Sequence, residues 1–349
     1  MKRIAVFIPS LEYGGAERVT SYIVNYLCNQ KYEVELFNVK KSEKEYSVHK
    51  DAKRIITDDK KKIKNELTIF SPDLAVVVFA PQIISLYPIF RKLGIVWVTS
   101  ERNDPKRFAG KRITRILYQF LMRSADGVVF QTHQAQEYYR SKLKGREAII
   151  YNPIKLDGFP DVYEGKRRKT IVNVGRLHYQ KNQKMLINAF KIVNDRFPDY
   201  SLEIYGEGPL RAELENQIHQ LKLEASVKLM GSHSDVLERE RDCMAFVLSS
   251  DFEGMPNALI EAMALGLPVI STKCPCGGPE ELITDHQNGT LIPVGETQKL
   301  ADAIIELISD NELRSKYTKE AVKIRDILCE KVIMQKWEEF FKKVVGDKQ

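Results

Sequence analysis

Two acidic side chains, Glu253 and Glu261, stand on either side of a predicted helix start. Pro256 suits the first position of a helix, which puts Glu253 in the preceding loop and Glu261 in the second turn. At a rise of ~1.5 Å per residue the carboxylates are on the order of 10 Å apart. That distance is too long for both to act on one glycosidic bond, as the carboxylate pair of a retaining hydrolase does. The spacing favours the two ends of an elongated ligand, with an anion held between them by amides at Asn257 and Ala258. The alternative is a surface role for Glu261, which its apolar neighbours disfavour.

Two cations flank a second predicted helix start. Gly175 and Arg176 follow an apolar run, and Lys181 with Asn182 opens the next helical pattern. Arginine offers a planar fork of donors and lysine a point charge, so the pair suits a diphosphate. The alternative is two solvated surface cations. The spacing is not that of a phosphate-binding P-loop.

Three further turns carry polar residues or glycines after predicted strands. The first contains Gly14 and Gly15, where backbone amides could approach an anion, although it lacks the dinucleotide-binding glycine pattern. Another carries Glu101, Arg102 and Asn103, of which a capping turn explains the last best. The third is another Gly-rich turn at a predicted helix start, with the sequence Cys276-Gly277-Gly278-Pro279-Glu280. A plain turn or cap is the alternative for the first and third.

These turns need strands to position them, and the chain has twelve short apolar runs with helical patterns between them. Most runs are continuous rather than alternating, as in parallel strands covered on both faces. The sequence therefore predicts an α/β protein with doubly wound parallel sheets. The predicted strands are Ile4–Pro9, Val34–Val39, Leu74–Phe79, Ile95–Thr99, Gly127–Gln131, Ala148–Tyr151, Thr170–Gly175, Ser201–Gly206, Val227–Met230, Ala245–Ser249, Pro268–Thr272 and Thr290–Pro293.

The length of 349 residues suggests two domains at roughly 150 residues each. A stretch from Ile154 to Lys169, rich in Pro, Gly and charge, breaks the β-α rhythm and is interpreted as the linker. The predicted domains are 1–165 and 166–329, with strand ends of both meeting at a cleft. The charged tail ends in Trp337, Phe340 and Phe341.

Composition excludes several classes of protein. Hydrophobic residues make up 43% and charged residues 29%, as in ordinary globular proteins. The longest apolar runs are too short for a membrane span, and the N-terminal run is interpreted as a strand rather than a signal peptide, so we expect a cytoplasmic protein. The five cysteines and six histidines lack metal-ligand spacing, so we expect no metal and no cofactor. We also expect no nucleic-acid partner.

Positive charge is concentrated in the first half of the chain. Residues 1–165 hold 28 Lys and Arg against 19 Asp and Glu, a net +9, whereas the remainder is −2. Within this half, Lys111, Arg112 and Arg115 belong to a basic amphipathic pattern in which Ile113, Ile116, Leu117 and Phe120 turn elsewhere. The pattern suits an anionic membrane surface. A packed helix with a solvated basic side is the alternative.

Taken together, four of these segments resemble the retaining glycosyltransferases of family 4, which have the GT-B architecture of two Rossmann-like domains. The resemblance covers essentially the whole chain, and the spaced pair of glutamates is its most specific part. It is nearest to bacterial surface-polysaccharide enzymes. The segments are Gly14-Gly15-Ala16-Glu17, Gly175-Arg176-Leu177 with Lys181-Asn182, Glu253-Gly254-Met255-Pro256 with Glu261, and Gly277-Gly278-Pro279.

The resemblance implies a nucleotide-sugar donor, with UDP as the expected nucleotide, bound by the second domain. Arg176 and Lys181 would hold the donor diphosphate and Glu261 the ribose hydroxyls, and Gly15 and Gly175 would also belong to the donor site. Glu253 would contact hydroxyls of the sugar, a hexose or N-acetylhexosamine, with support from the backbone of Asn257 and Ala258. Arg176, Lys181 and Glu253 are thus the expected catalytic residues.

On the acceptor side, the resemblance implies that Gly14 and Gly15 approach the donor phosphate or the acceptor from the first domain. The acceptor would be a glycan or a polyprenyl-diphosphate-linked sugar. Many family members place a histidine where this chain has Glu101, Arg102 and Asn103, so Glu101 or Asn103 is expected to substitute. A C-terminal helix, at about 330–349, would return to the first domain.

Two other function classes stay open from the sequence. A nucleotide-sugar epimerase of the same architecture would use similar donor contacts without an acceptor. A non-catalytic sugar-binding protein would tolerate loss of Arg176 or Lys181, and both are present.

Overall fold

The computed structural model describes residues 1–12, 14–102, 104–107, 112–143 and 146–347. The chain divides into two compact units. The first consists of Met1–Pro153 with Glu330–Gln349, and the second of Ile154–Cys329.

A parallel sheet forms the core of the first unit. Its strands, within the described residues, are β1 (Arg3–Phe7), β2 (Glu33–Asn38), β3 (Lys53–Ile56), β4 (Leu74–Val77), β5 (Trp97–Glu101), β6 (Gly127–Phe130) and β7 (Glu147–Ile149). They lie in the order β3-β2-β1-β4-β5-β6-β7, so the winding direction reverses between β1 and β4. The helices are α1 (Gly15–Asn29), α2 (Lys60–Phe70), α3 (Ile83–Leu93), α4 (Arg112–Ser124) and α5 (His133–Leu143).

The final helix of the chain packs into this first unit. Helix α14 (Glu330–Gly346) buries Trp337, Phe340 and Phe341 there. The hydroxyls of Tyr26 and Tyr32 donate to the carboxylate of Glu338 at 2.8 and 2.7 Å. A Cβ on Gly127 of β6 would come within 2.7 Å of Val344, so the strand and the helix approach closely. The aromatic tail residues are therefore core residues of the first unit.

A second parallel sheet forms the core of the other unit. Its strands are β8 (Arg168–Val174), β9 (Ser201–Tyr205), β10 (Val227–Gly231), β11 (Cys243–Leu248), β12 (Val269–Thr272) and β13 (Thr290–Ile292). Their order is β10-β9-β8-β11-β12-β13, which places the reversal between β8 and β11. The helices are α6 (Gln183–Arg196), α7 (Arg211–Gln220), α8 (Val236–Glu240), α9 (Asn257–Ala264), α10 (Gly278–Leu282), α11 (Thr297–Ser309), α12 (Asn311–Ala321) and α13 (Ile324–Leu328).

All twelve predicted strands are present, and their parallel pairing confirms the predicted fold class. The sequence missed β3, an edge strand whose Lys53 and Arg54 interrupt any apolar run. Among the described residues, no helix combines the length and the apolar character needed to cross a membrane.

The boundary between the units lies earlier than the predicted one, between Pro153 and Ile154 rather than after residue 165. The reason is local bonding. The amide of Ile154 donates to the carbonyl of Leu328 at 2.7 Å, and Arg325 donates to the carbonyl of Pro160 at 2.7 Å. The residues interpreted as a linker are thus tied to the second unit.

Candidate active site

A mostly buried ion pair of the second unit joins two residues that lie 72 positions apart in the sequence. Lys181 Nζ lies 2.5 Å from Glu253 Oε1, and both side chains are mostly buried, at 17% and 8% exposure. The hydroxyl of Ser250 donates to the same carboxylate oxygen at 2.7 Å. The sequence assigned Lys181 and Glu253 to different parts of the donor, whereas the structure brings them into one hydrogen-bonded cluster.

Two loops meet to form this cluster because β8 and β11 are neighbours at the reversal point of the sheet. The amide of Asp251 donates to the carbonyl of Gln180 at 2.8 Å. The amide group of Asn182 donates to the Asp251 carboxylate at 2.7 Å, and Ser249 donates to the carbonyl of Lys181 at 2.8 Å. Each bond ties the loop after β8 to the loop after β11, so backbone and side-chain bonds together position the Lys181–Glu253 pair.

A third loop, after β12, supports the glutamate from the other side. The amide of Glu253 donates to the carbonyl of Pro275 at 2.8 Å. A Cβ on Gly278 would lie 1.6 Å from the carbonyl oxygen of Gly254, so only glycine allows this approach. The Gly-rich turn that the sequence singled out therefore has a packing role beside the site.

Helix α9 carries the remaining donor-site residues that were predicted. It begins at Asn257, one residue later than expected, because Pro256 keeps an extended conformation with φ −77° and ψ 108°. Asn257 and Ala258 therefore occupy the first turn, where backbone amides point beyond the helix end. Glu261 is half-buried in the second turn.

Glu261 has an acidic neighbour that the sequence did not reveal. Glu240 of α8 is 1% exposed, and one of its carboxylate oxygens has no partner among the described residues. Burial, followed by the charge of Glu261, raises the pKa of Glu240 well above its ordinary value. Burial and the like charge therefore both disfavour the ionised form of Glu240.

Arg176 borders a cavity of about 360 Å³ at the ends of β8, β9 and β10. Its guanidinium is exposed and makes no ion pair in the described part of the chain, which leaves its donors for a ligand. A Cβ on Gly206 would lie 2.1 Å from the carbonyl oxygen of Gly175, so glycine keeps these two turns together. The lining residues are Val174, Gly175, Arg176, Tyr205, Gly206, Glu207, Ser232, His233 and Val236.

The sequence analysis missed two ring side chains that also line this cavity. Tyr205 and His233 meet edge to face with ring centroids 5.8 Å apart, and the His233 ring lies 3.0 Å from the carbonyl of Met230. Neither residue belongs to a recognisable motif. Only their positions in the sequence could have pointed to the cavity, because both residues lie at or just past the carboxyl end of a strand.

The predicted residues of the first unit form a separate group. Helix α1 begins at Gly15, and a Cβ on Gly14 would lie 2.2 Å from the Glu17 carboxylate. Burial lowers the pKa of the Arg102 guanidinium to about 10, and the charge of Glu17 acts in the opposite direction. Glu17, beside the glycine turn, is therefore close enough to Arg102 for their charges to interact.

Glu101 does not suit the role expected from the resemblance. Its side chain is 6% exposed and accepts a bond of 2.7 Å from the hydroxyl of Tyr118. Its carboxylate is thus committed to the interior of the first unit, whereas Arg102 binds Asn152. Asn103 and Lys111 lie outside the described residues, as do the side chains of Arg112 and Arg115.

Comparisons with known proteins agree with this geometry. A family model described as glycosyl transferases group 1 matches residues 159–324. An uncharacterised glycosyltransferase of Methanocaldococcus jannaschii is 30% identical over 330 residues, which cover 78% of this chain and 80% of its own length. The chain therefore belongs to the group 1 glycosyl transferases.

Two further relatives extend the comparison. The amylovoran biosynthesis glycosyltransferase AmsD of Erwinia amylovora is 26% identical over 93% of this chain and 95% of its own. The crystal structure of HepE from Anabaena, in complex with UDP, matches with a TM-score of 0.83 at 18% identity, over 98% of this chain and 100% of that one. At this identity the match establishes the fold, which is the predicted GT-B fold.

Proposed function

We propose that this glycosyltransferase transfers a hexose or N-acetylhexosamine from a UDP-sugar, with retention of configuration at the anomeric carbon. The acceptor is a glycan or a polyprenyl-diphosphate-linked sugar in surface polysaccharide synthesis. One observation carries the proposal: the buried Lys181–Glu253 pair lies at the reversal point of the second sheet, where α/β sheets bind ligands. The name of AmsD, a biosynthesis glycosyltransferase for amylovoran, supports the proposed role in polysaccharide synthesis. The UDP bound in the HepE structure supports UDP as the donor nucleotide.

The nucleoside of the donor occupies the cavity beside Arg176. Its volume, about 360 Å³, falls in the range of small-molecule sites. Val236 of α8 lines the cavity, and α8 also carries Glu240, the neighbour of Glu261. This adjacency supports the assignment of Glu261 to the ribose hydroxyls.

The diphosphate lies between the exposed guanidinium of Arg176 and the first turn of α9. Charge grows on the leaving diphosphate as the glycosidic bond breaks, and fixed donors there lower the barrier. Lys181 contributes an ammonium that Glu253 already holds at 2.5 Å. Glu253 in turn receives a sugar hydroxyl on its second oxygen, near Gln180.

No enzyme-bound nucleophile enters this mechanism. Glu253, the carboxylate nearest the diphosphate site, is paired with Lys181 and bonded by Ser250, which suits orientation of a hydroxyl better than attack on carbon. We therefore propose front-face attack by the acceptor, with its proton passing to the departing diphosphate. Cationic side chains and helix amides replace a metal, and among the described residues no group of three or more His, Cys, Asp or Glu could hold one.

The first test is a panel of UDP-sugars assayed for thermal protection and then for transfer, with the anomeric configuration of the product read by NMR. A donor at 100 times its Kd should stabilise the protein by about 2.7 kcal/mol. Arg176→Ala and Lys181→Ala should each lower kcat/KM by two or more orders of magnitude. Lys184→Ala is the matched control, because its ammonium pairs with exposed Glu213 instead. Near-normal turnover in both site variants would contradict the phosphate assignment.

An epimerase of the same fold is the second candidate, and it is tested by omission of the acceptor. Incubation with the UDP-sugar alone should leave the sugar unchanged if the enzyme is a transferase. Formation of an epimerised sugar would refute the transferase proposal and support the epimerase. We also propose that the enzyme works on the inner face of the cell membrane, in accord with the +9 charge of residues 1–165.

A further inference from the structure

A cavity of about 690 Å³ lies at the amino ends of strands β8 and β11 in the second unit. Arg168, the first residue of β8, and Met244, the second residue of β11, both line it. Lys181 and Glu253 follow the carboxyl ends of the same two strands. Because β8 is 7 residues long and rises ~3.3 Å per residue, its ends are on the order of 20 Å apart. We call this site the basal cavity, and it is separate from the candidate active site.

Positive charge dominates the basal cavity. Six Lys and Arg line it, with one exposed Glu. Two of the cations have carboxylate partners. Arg168 pairs with Glu203 and Asp242 at 2.9 and 2.8 Å. Lys169 pairs with Asp199. The other four cations make no ion pair within the described residues, and they are Lys166, Arg167, Arg314 and Lys319.

Two of these unpaired cations are arginines whose orientation the backbone fixes. Arg167 donates to three backbone carbonyls, at 2.9, 3.1 and 2.8 Å. Arg314 donates to two carbonyls near the end of α11 and, at 3.0 Å, to the side-chain oxygen of Asn311. A guanidinium has five N–H donors, so each arginine keeps two for a ligand. Burial lowers the pKa of Arg167, and an anion beside the guanidinium would stabilise its charge.

The rest of the basal cavity is neutral and carries hydroxyl, amide and aromatic groups. Asn311, Ser315 and Thr318 follow one another at spacings of four and three residues, so they share one face of α12. The half-buried rings of Tyr163 and Tyr200 also line the cavity. Hydroxyl and amide groups suit the hydroxyls of a sugar, and the faces of aromatic rings suit its C–H groups. The lining therefore combines groups for a sugar with groups for an anion.

We propose that the basal cavity binds an anionic saccharide, meaning a sugar that carries a carboxylate or a phosphate. The oxyanion accepts hydrogen bonds from the remaining donors of Arg167 and Arg314, whose planar forks match both kinds of group. The sugar lies against the tyrosines and the polar face of α12. A volume of about 690 Å³ is in the range of small-molecule sites, so the ligand is a monosaccharide or a short oligosaccharide. The inference stands apart from the proposed function, because the lining residues of the basal cavity are not those of the donor site.

Isothermal titration calorimetry with four small molecules tests the specificity of the basal cavity: glucose 6-phosphate, glucuronic acid, glucose and inorganic phosphate. The wild type should bind at least one of the two anionic sugars about tenfold more tightly than glucose or inorganic phosphate, because only the anionic sugars engage both parts of the cavity. A preference for one of them identifies the anionic group as phosphate or carboxylate. If neither anionic sugar binds more tightly than inorganic phosphate, the proposal is wrong.

Variants locate the binding. Arg314→Gln should weaken binding of the preferred anionic sugar about tenfold, because donors to its oxyanion are lost. Lys166→Gln/Lys319→Gln changes two exposed lysines and should weaken binding about threefold at low salt, which keeps the test decisive if Arg314→Gln does not fold. The matched control is Lys228→Gln/Lys299→Gln, which removes the same charge from exposed positions outside the cavity and should leave the affinity unchanged. Unchanged affinity in both cavity variants would refute the site, as would an equal loss in the control.

The result is separable from the proposed function. Saturating UDP should not displace the anionic sugar, and Arg176→Ala should not change the affinity for it. Displacement by UDP, or loss of binding in Arg176→Ala, would show that the sugar occupies the donor site and would overturn the proposal. If UDP does not bind while the anionic sugar responds to the cavity variants as expected, the donor assignment alone fails.

Discussion

Loss of Lys181 should destabilise the second unit far more than loss of an ordinary surface lysine. Lys181→Met leaves the Glu253 carboxylate 8% exposed, with the neutral donors of Ser250 and Gln180 as its hydrogen-bond partners. Removal of one partner of a buried pair costs about 3–5 kcal/mol. Because two donors remain and Lys181 was 17% exposed, we expect the lower end, about 3 kcal/mol.

The matched control is Lys184→Met on the same unit. Lys184 pairs with Glu213, but the two side chains are 47% and 52% exposed. Exposed pairs contribute at most about 1 kcal/mol, so the charge change is equal and the expected effect is much smaller. A shift of roughly 2–4 °C in Tm per kcal/mol separates the two variants clearly for a domain of this size.

The assay must report on the correct unit. Both tryptophans lie in the first unit, so their fluorescence does not follow unfolding of the second. Differential scanning calorimetry resolves the two transitions, and the effect should fall on one of them. The double variant Lys181→Met/Glu253→Gln should cost less than the sum of the single changes, because no buried charge is left alone. Equal shifts for Lys181→Met and Lys184→Met, or strict additivity, would refute the reasoning.

Three other predictions concern the same unit. Glu261→Ala should weaken UDP binding about tenfold in calorimetry, because a hydrogen bond to a charged group is lost. Glu253→Ala should mainly lower kcat. Unchanged UDP affinity in Glu261→Ala would show that Glu261 does not bind the ribose. Activity should survive EDTA, and a large loss restored by magnesium or manganese would contradict metal-free catalysis. Because the pKa of Glu240 is raised, the folded protein retains a proton that the unfolded chain releases, so the stability from this group is complete below about pH 4.5 and is lost as pH rises. Glu240→Gln should therefore raise Tm at pH 8 but not at pH 4, and an equal effect at both would contradict it.

The strands were predictable because parallel strands are covered on both faces. Runs such as Leu74–Phe79 are continuous and apolar, and each predicted run lies within two or three residues of an observed strand. The sequence analysis missed edge strand β3 because an edge strand is only partly covered. Its polar residues Lys53 and Arg54 therefore interrupt the apolar pattern. The boundary between the units also escaped, because the bond from Ile154 to Leu328 spans most of the second unit.

The positions of the turns in the candidate site were predictable, but the contact between two of them was not. Each turn, at Gly175, Glu253 and Gly277, was located at a strand end from local pattern alone. Contact between Lys181 and Glu253 depends on β8 lying beside β11, and chain order alone does not reveal that adjacency. The sequence analysis missed Tyr205 and His233 of the cavity wall because neither residue belongs to a recognisable motif.

If the donor binds as proposed, the Lys181–Glu253 pair determines how Lys181 can contact the diphosphate. An ammonium has three donors, and Glu253 takes one of them at 2.5 Å. The remaining two can reach phosphate oxygens without breaking the pair. Glu253 therefore fixes the direction of the Lys181 ammonium. Because Glu253 already neutralises part of this positive charge, Lys181 attracts the phosphate less strongly than an unpaired lysine would. Arg176, exposed and without an ion pair among the described residues, must then supply most of the attraction for the donor. On this argument Arg176→Ala should raise KM more than Lys181→Ala does, and Lys181→Ala should act mainly on kcat. The reverse pattern in steady-state kinetics would show that Lys181 is released from Glu253 when the donor binds.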